Sequence, residues 1–407
     1  MFSNGVLQSW IQRSIGTENF SFTVENTTQK GEGYIGDLFF VKIDLQQPIN
    51  EKDVLHLVVK TNKKNPGAEK SVAIVQELCQ REVFFYSTIL QEYQQFQQND
   101  KKLTVLFDIV PKCYKTFSEN NNEVIILDNL KKAGYMLHPR EQPMNNAHLE
   151  MGLRSYAKLH ALSFALKDQK KDIFESVSKN CNSLIQEMFL NFQTIFDTKT
   201  TALVETLKEA GRPDLSSIFE KYINEKSIYH RFMEVCNTIS KDQALIHADC
   251  HNGNMMFQYK DNDKSVPHHM VLIDFQAVCL HSPVIDLSYF IYINLPPTDF
   301  PKLKDFVEYY YTEFCSYLKE LGSDANKVFP RSVFEEHLKK YLPYGVLITL
   351  PFLELLYLDS DETPELVDEE SNEFLAAFNK KLNIKSRDEY LIRIAALVDS
   401  YFNGPHA

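Results

Sequence analysis

The chain has 407 residues, 44% apolar, 24% charged and 12% aromatic, and its 43 Lys and Arg against 55 Asp and Glu give a net charge of −12. At about 100–200 residues per domain, that length holds two lobes or two to three domains, and the composition excludes a mainly disordered or collagen-like chain. Nucleic-acid binders carry a basic surplus; this chain has neither a surplus nor a basic block, so no nucleic-acid partner is expected.

Met1 to Ile15 lacks the basic start and unbroken apolar stretch of a signal peptide, because Asn4, Gln8 and Gln12 interrupt it. Phe20–Lys30, Leu38–Leu45 and Val54–Thr61 predict strands; in the second, Phe39, Val41, Ile43 and Leu45 alternate with Phe40, Lys42 and Asp44. Ala68–Leu90 shifts to helical spacing, with Val75, Leu78, Phe85 and Ile89 on one face, and Leu103–Ile109 and Glu123–Leu127 predict two further strands. Ala147–Leu166 predicts a helix with Leu149, Leu153, Tyr156, His160 and Phe164 on its stripe. Two short strands, Asn254–Tyr259 and His269–Asp274, flank the polar run Asp261–Ser265 as a hairpin. Ser282-Pro283 reads as N-cap and first helical residue, and Lys302–Leu321 as a helix that Gly322 can cap.

The greasiest segment, Leu342–Leu358, contains Pro343, Pro351 and Glu354 and falls short of the ~20 residues of a membrane span, so a buried helix pair is expected there. Asp359–Glu370 holds seven acids and no base and reads as a solvated loop. Seven scattered cysteines, an odd number, predict reduced thiols and a cytoplasmic protein. The expected class is α+β: a small antiparallel-sheet lobe, residues 1–130, precedes a larger, mainly helical lobe, residues 131–407, with the joint near Asp128–Gly134.

Several patterns carry chemistry. Gly31-Glu32-Gly33-Tyr34-Ile35-Gly36 fits G-x-G-x-x-G, but a strand follows the last glycine where a dinucleotide fold needs a helix. Strand–glycine loop–strand is the arrangement that covers ATP phosphates in kinases; an ordinary hairpin turn would use the same glycines. Lys60 ends an apolar strand 24 residues beyond Gly36. A lysine so placed grips the α/β-phosphates and pairs with a glutamate on the next helix. Glu82, on the apolar face where an unpaired carboxylate is expensive to bury, is the expected partner, and Glu77 the alternative.

The strongest pattern is His247-Ala248-Asp249, then Asn254, a short hairpin and Asp274-Phe275-Gln276. Protein kinases use this order, with the first Asp at the hydroxyl and the Asn and second Asp on magnesium. Mg²⁺ prefers one or two protein oxygens plus phosphates, so Asn254 and Asp274 are the metal candidates and Asp249 faces the acceptor. His247 is expected to orient the loop and Asp286 to anchor its backbone. Zinc is a competing reading of His247, Cys250, His251, Cys279 and His281, but paired short ligand spacings are absent. Only eleven residues separate Asp274 from Asp286, leaving no room for an activation segment, so the expected acceptor is a small molecule rather than a peptide.

On Gly31–Gly36, Val58–Lys60, Arg81–Tyr86, Lys158–Ser163, His247–Phe257, Val271–Gln276 and Ser282–Phe290, about 260 residues in order, the chain resembles the ecdysteroid kinase-like (CHK-kinase-like) family of arthropods, relatives of choline kinases and aminoglycoside phosphotransferases. The resemblance implies a bilobal protein-kinase-like fold, ATP and Mg²⁺, and transfer of phosphate to a hydroxyl of a small apolar acceptor such as an ecdysteroid or another alcohol. It implies nucleotide contacts at Gly31, Gly33, Gly36, Lys60, Glu82, Asp128 and Leu130. No membrane association or obligate protein partner is expected.

Two positions depart from the family pattern: Ala248 stands where Gly is usual, and Asp128-Asn129-Leu130 where Glu-Asp-Leu is usual. Three alternatives stay open: a nucleotide-binding pseudokinase, a choline/ethanolamine-type kinase, and a protein kinase. Ser183–Phe196, Ser227–Cys236 and the helices after Pro343 are candidate acceptor segments, although their aromatics suit a plain core equally well.

Overall fold

A computed structural model describes residues 3–27, 36–62, 69–101, 103, 106–119, 122–260, 263–358 and 386–404, with backbone only for 69–72. Gly31, Gly33 and the acidic run 359–370 lie outside the described residues.

The N-terminal lobe is a five-stranded antiparallel sheet in the order β1-β2-β3-β5-β4, built from β1 (Phe20–Thr27), β2 (Gly36–Ile49), β3 (Lys52–Asn62), β4 (Cys113–Glu119) and β5 (Asn122–Asp128). Alternation decides its two faces. Phe39, Val41 and Ile43 of β2, Leu55, Leu57 and Val59 of β3 and Val124 and Ile126 of β5 share one face, closed by Leu7, Trp10 and Ile11 of α1 (Asn4–Ile15). Lys60, one residue past Val59 and opposite Leu38 and Ile125 in register, therefore points to the other face. That face meets α2 (Glu69–Phe84), which runs on through a π-turn at Phe85–Ile89, α3 (Leu90–Gln95) and a second π-turn at Phe96–Asp100.

The remainder is mainly helical: α4 (Asn146–Gln169), α5 (Lys171–Ser178), α6 (Ile185–Met188), α7 (Gln193–Glu209), α8 (Pro213–Glu225), α9 (Ile228–Asn237), α10 (Pro283–Asn294), α11 (Leu303–Glu320), α12 (Ala325–Val328), α13 (Arg331–Tyr341), α14 (Pro343–Phe352) and α15 (Arg387–Asn403). One apolar core runs through it around α4, α10, α11 and α14. The Asn145 side chain caps α4 by accepting from His148 N at 3.1 Å, and Ser282 Oγ caps α10 by accepting from Val284 N at 3.2 Å with Pro283 at the first helical position. Two close helix contacts depend on glycine: a Cβ on Gly152 of α4 would strike the Phe290 ring, and one on Gly345 of α14 the Ser288 carbonyl. Small sheets flank the loop that holds Asp249: β6 (Tyr135–Leu137), β8 (Met255–Gln258) and β9 (His269–Leu272) form one, and β7 (Ala244–Ile246) with β10 (Cys279–His281) another.

Two expectations need correction. No strand occurs among the described residues of Leu103–Ile109; Phe107 and Ile109 are buried as a connector instead, with Phe107 N donating to Gln97 Oε1 at 3.0 Å and Ile109 O accepting from Leu272 N at 2.8 Å. The strand paired with β5 is Cys113–Glu119, an edge strand that buries only Phe117 and so shows little apolar pattern. Leu342–Leu358 forms one buried helix, α14, closed by a 3₁₀ turn at Leu353–Tyr357, because Pro351 has no N–H to continue the ladder.

Candidate active site

β3 and α2 bring Lys60 and Glu82 together. Lys60 Nζ lies 2.7 Å from Glu82 Oε2 and 2.6 Å from Asp274 Oδ1. Burial works to lower the Lys60 ammonium, but Asp274 and Glu82 outweigh it and hold the lysine charged well above its ordinary range. Burial pushes the Glu82 carboxyl up to about 7 against the pull of Lys60 and the amide of Phe275. Glu77 pairs instead with Arg81, at 3.2 Å, so Glu82 is the lysine's partner. Gly36, opposite Asn62, crosses above the lysine stem; a Cβ there would lie 3.0 Å from Thr61 O and 3.5 Å from Lys60 Cε.

Asp249 belongs to a loop fixed from below. The fully buried Asp286 accepts from His247 N at 2.7 Å and Ala248 N at 2.8 Å. His160 holds that carboxylate from the far side, its Nε2 3.0 Å from Asp286 Oδ2 and its Nδ1 2.7 Å from Tyr310 Oη. His247 works as an orienter: Nδ1 accepts from Asp249 N at 3.2 Å, and Nε2 lies 3.0 Å from Ile273 O. The Asp249 carboxylate takes a hydrogen bond from Asn254 Nδ2 at 2.8 Å and has His251 Nε2 at 3.5 Å. Burial works to raise its pKa, but His251, His247 and Asn254 overcome that and hold it below the usual carboxylate value. The same contact raises His251, against burial.

The β8–β9 hairpin pairs Met255 with Leu272, so Asn254 and Ile273 follow side by side, with Ile273 N donating to Asn254 O at 3.0 Å. Asn254 Nδ2 spends both hydrogens on Asp249, on its carbonyl at 3.0 Å and its carboxylate at 2.8 Å, which leaves Oδ1 as the amide's acceptor. That oxygen and the Asp274 carboxylate form a small set of hard donors, fitting an ion that keeps phosphate and water ligands. No group of three or more His, Cys, Asp or Glu among the described residues is arranged for a metal. The histidines of the zinc reading are engaged elsewhere: His281 Nε2 lies 3.3 Å from Cys236 O, and Cys250 and Cys279 are buried free thiols.

At the lobe joint, Asp128 N donates to Lys112 O and Asn129 N to His56 O, and among the described residues no backbone carbonyl takes the Leu130 amide. Tyr114 Oη donates to Asp128 Oδ1 at 2.8 Å, so that carboxylate is tied to the sheet. The sequence assigns no role to His160, on the apolar stripe of Ala147–Leu166, or to Arg81, inside a matched stretch; a histidine on an apolar helix stripe is the available signal for the first.

The three candidate acceptor segments converge. Phe189 lies 5.1 Å from Phe232 and 6.2 Å from Phe352, Phe196 5.5 Å from Phe352, and Phe232 5.3 Å from Tyr344, ring centre to ring centre. Lys199 and Glu354 pair at 2.8 Å between α7 and the turn after α14.

The model of the ecdysteroid kinase-like family matches residues 30–323, more than two thirds of the chain. No curated protein matches. Among solved structures, the GDP complex of a mutant aminoglycoside 2′-phosphotransferase superposes with a TM-score of 0.46 at 11% identity, covering 99% of this chain and 100% of that one. A glucosamine kinase gives a TM-score of 0.30 at 10% identity, covering 98% and 84%.

Proposed function

The chain belongs to the ecdysteroid kinase-like family, and from that membership together with the interlobe geometry we propose that it is an ATP- and Mg²⁺-dependent kinase of small-molecule alcohols. The observation that carries the reading is the convergence of Lys60 on Glu82 and Asp274, at 2.7 and 2.6 Å, beside the loop that presents Asp249. Lys60 binds the α/β-phosphates and Glu82 keeps it aimed. Gly36, with Gly31 and Gly33, lets backbone amides approach the phosphates, and the Asp128–Leu130 backbone receives the adenine. Asn254 and Asp274 would hold Mg²⁺, which supplies neutralisation of the charge on the transferred phosphoryl group.

Asp249 is the group at the acceptor. Its depressed pKa keeps it ionised at neutral pH, so it orients the hydroxyl and receives its proton as the acceptor oxygen bonds to the γ-phosphorus and the bond to the leaving ADP oxygen breaks. The acceptor is an apolar alcohol, of ecdysteroid or similar kind, bound near the Phe189, Phe196, Phe232 and Phe352 cluster. Free thiols at all seven cysteines support a cytoplasmic location, and no described helix is long and apolar enough to cross a membrane. The lobe boundary falls at residues 130/131.

A screen of ATP consumption and phosphate transfer against steroid, plant phenolic and amino-alcohol panels tests the proposal. Phosphate on a panel hydroxyl is the expected outcome, with steroids or phenolics ahead of amino-alcohols. Mg·ATP binding without turnover of any panel compound would favour the pseudokinase, and amino-alcohols in the lead a choline/ethanolamine-type kinase.

A further inference from the structure

The helix that carries Glu82 is fastened to the turn that carries Asp274. Arg81, immediately before Glu82, is 6% exposed and sends Nη1 across to two backbone carbonyls, Asn182 O at 2.6 Å and Val278 O at 3.2 Å, while Nη2 meets Glu77 at 3.2 Å. Val278 ends the 3₁₀ turn Phe275–Ala277, whose first flank is Asp274. Glu82, the next residue, meets Lys60, which in turn meets Asp274 at the start of the same turn. One turn of helix further on, at the opening of the π-turn, Phe85 stacks on Phe275 with ring centres 3.7 Å apart and planes 3° from parallel. Arg81 thus grips the end of the turn, and the Phe85 ring closes on its first residue.

A buried guanidinium facing two carbonyls, with its single carboxylate partner half exposed, is an expensive arrangement unless its position matters. Among the described residues, Arg81 bonds to Asn182 O, Val278 O and Glu77 and to neither Lys60 nor Asp274. We propose that Arg81 is a positioning residue of the phosphotransfer site. It locks α2, the Asp274 turn and the Asn182 segment into one unit, so that Glu82 and Asp274 are presented together and Lys60, on the sheet, docks against both. This rests on the reading of Lys60, Glu82 and Asp274 as nucleotide and metal ligands.

Hydrogen–deuterium exchange of the full chain without nucleotide, followed by calorimetric titration of Mg·ATP, tests it. Arg81→Met should raise exchange about 10-fold or more in the peptides covering α2 and Phe275–His281 while leaving β2 and β3 unchanged. Glu77→Gln should leave exchange as in the wild type, because the carbonyl bonds persist. If the Met variant does not fold, Arg81→Lys, which keeps the charge but loses the fork, should show the same local rise. Arg81→Met and Glu82→Gln should each weaken Mg·ATP by about 10-fold, and the double variant by little more than either, because the two act as one unit. Unchanged exchange in both Arg81 variants, a rise in Glu77→Gln equal to that in Arg81→Met, or multiplying losses in the double variant would overturn the proposal. A wild type that fails to bind Mg·ATP would instead overturn the kinase reading, and the exchange comparison would still decide the role of Arg81.

Discussion

Asp249 and Ala248 are neighbours with opposite demands. Asp249 is partly buried, which works to raise its pKa, but the charge and contact of His251, the nearby His247 and the hydrogen bond from Asn254 hold it below the usual carboxylate value. Asp249→Asn preserves the shape and the Asn254 contact but cannot receive a proton. We expect turnover to fall by about 10² or more while stabilisation by Mg·ATP in a thermal shift stays near wild type; retained turnover would remove Asp249 from its role. Ala248 carries the loop through a left-handed turn with φ of 65°, a conformation that penalises any side chain by about 1–2 kcal/mol. That is the physical reason a glycine suits this position, and crowding by the methyl is secondary. Ala248→Gly removes the strain but frees the unfolded chain, so the net gain is about 1 kcal/mol or less. A urea midpoint lower than wild type would contradict this account. Asp274 has the same handedness, with φ of 67°, and its carboxylate meets Lys60 at 2.6 Å.

Among the elements, legibility in the sequence followed how much local pattern each one carries. β2 and β3 alternate because one face is sealed by α1, and both were readable to within a few residues. The α10 start was readable from Ser282-Pro283, because capping chemistry is local. α1 was not: its buried side, Leu7, Trp10 and Ile11, is three residues long and matters only once the sheet exists to receive it. Leu103–Ile109 misled because an apolar run buried in a connector has the same composition as a buried strand. For the site, Lys60, Glu82, Asp249, Asn254 and Asp274 were legible as spacing; the structure joins Lys60 to Glu82 and Asp274, and Asn254 to Asp249. His160, Arg81 and Tyr310 were not, because no motif marks them and the carbonyls that Arg81 meets and the groups that His160 joins lie more than 90 residues away. At the α10–α14 crossing, Gly345 meets the Ser288 backbone, whereas at the α4–α10 crossing Gly152 meets the Phe290 ring, which can turn aside. Gly345→Ala should therefore cost more than Gly152→Ala, with losses of about 1–3 kcal/mol for such overpacking; the reverse order in chemical denaturation would contradict the packing described.

Across the whole molecule, the titratable groups set a direction for stability with pH. Burial, with His138 adding, pushes His148 down to about 4, where the neutral ring fits its partners: Asn145 Oδ1 at 2.8 Å and Tyr259 Oη at 2.8 Å. Burial likewise pushes His337, set between Ser282 and Ser240, down to about 4. Between there and the ordinary histidine value of about 6.5, the unfolded chain holds protons that the fold refuses, so these groups make stability fall as pH is lowered through that window. His138 and His281 are shifted the same way. His251 and Glu82 are shifted upward and oppose them, but they are outnumbered. The melting temperature at pH 5 should lie below that at pH 7, and an equal or higher value would contradict the balance.

The central claim is that one divalent ion and the phosphates of ATP meet between the lobes, beside Lys60 and held by Asn254 and Asp274. Calorimetric titration of ATP with and without Mg²⁺ into the wild type and Asp274→Ala tests it most directly. The wild type is expected to bind tightly and in dependence on Mg²⁺, and Asp274→Ala to bind weakly and indifferently to the ion. Equal, Mg²⁺-dependent affinity in both proteins would contradict it.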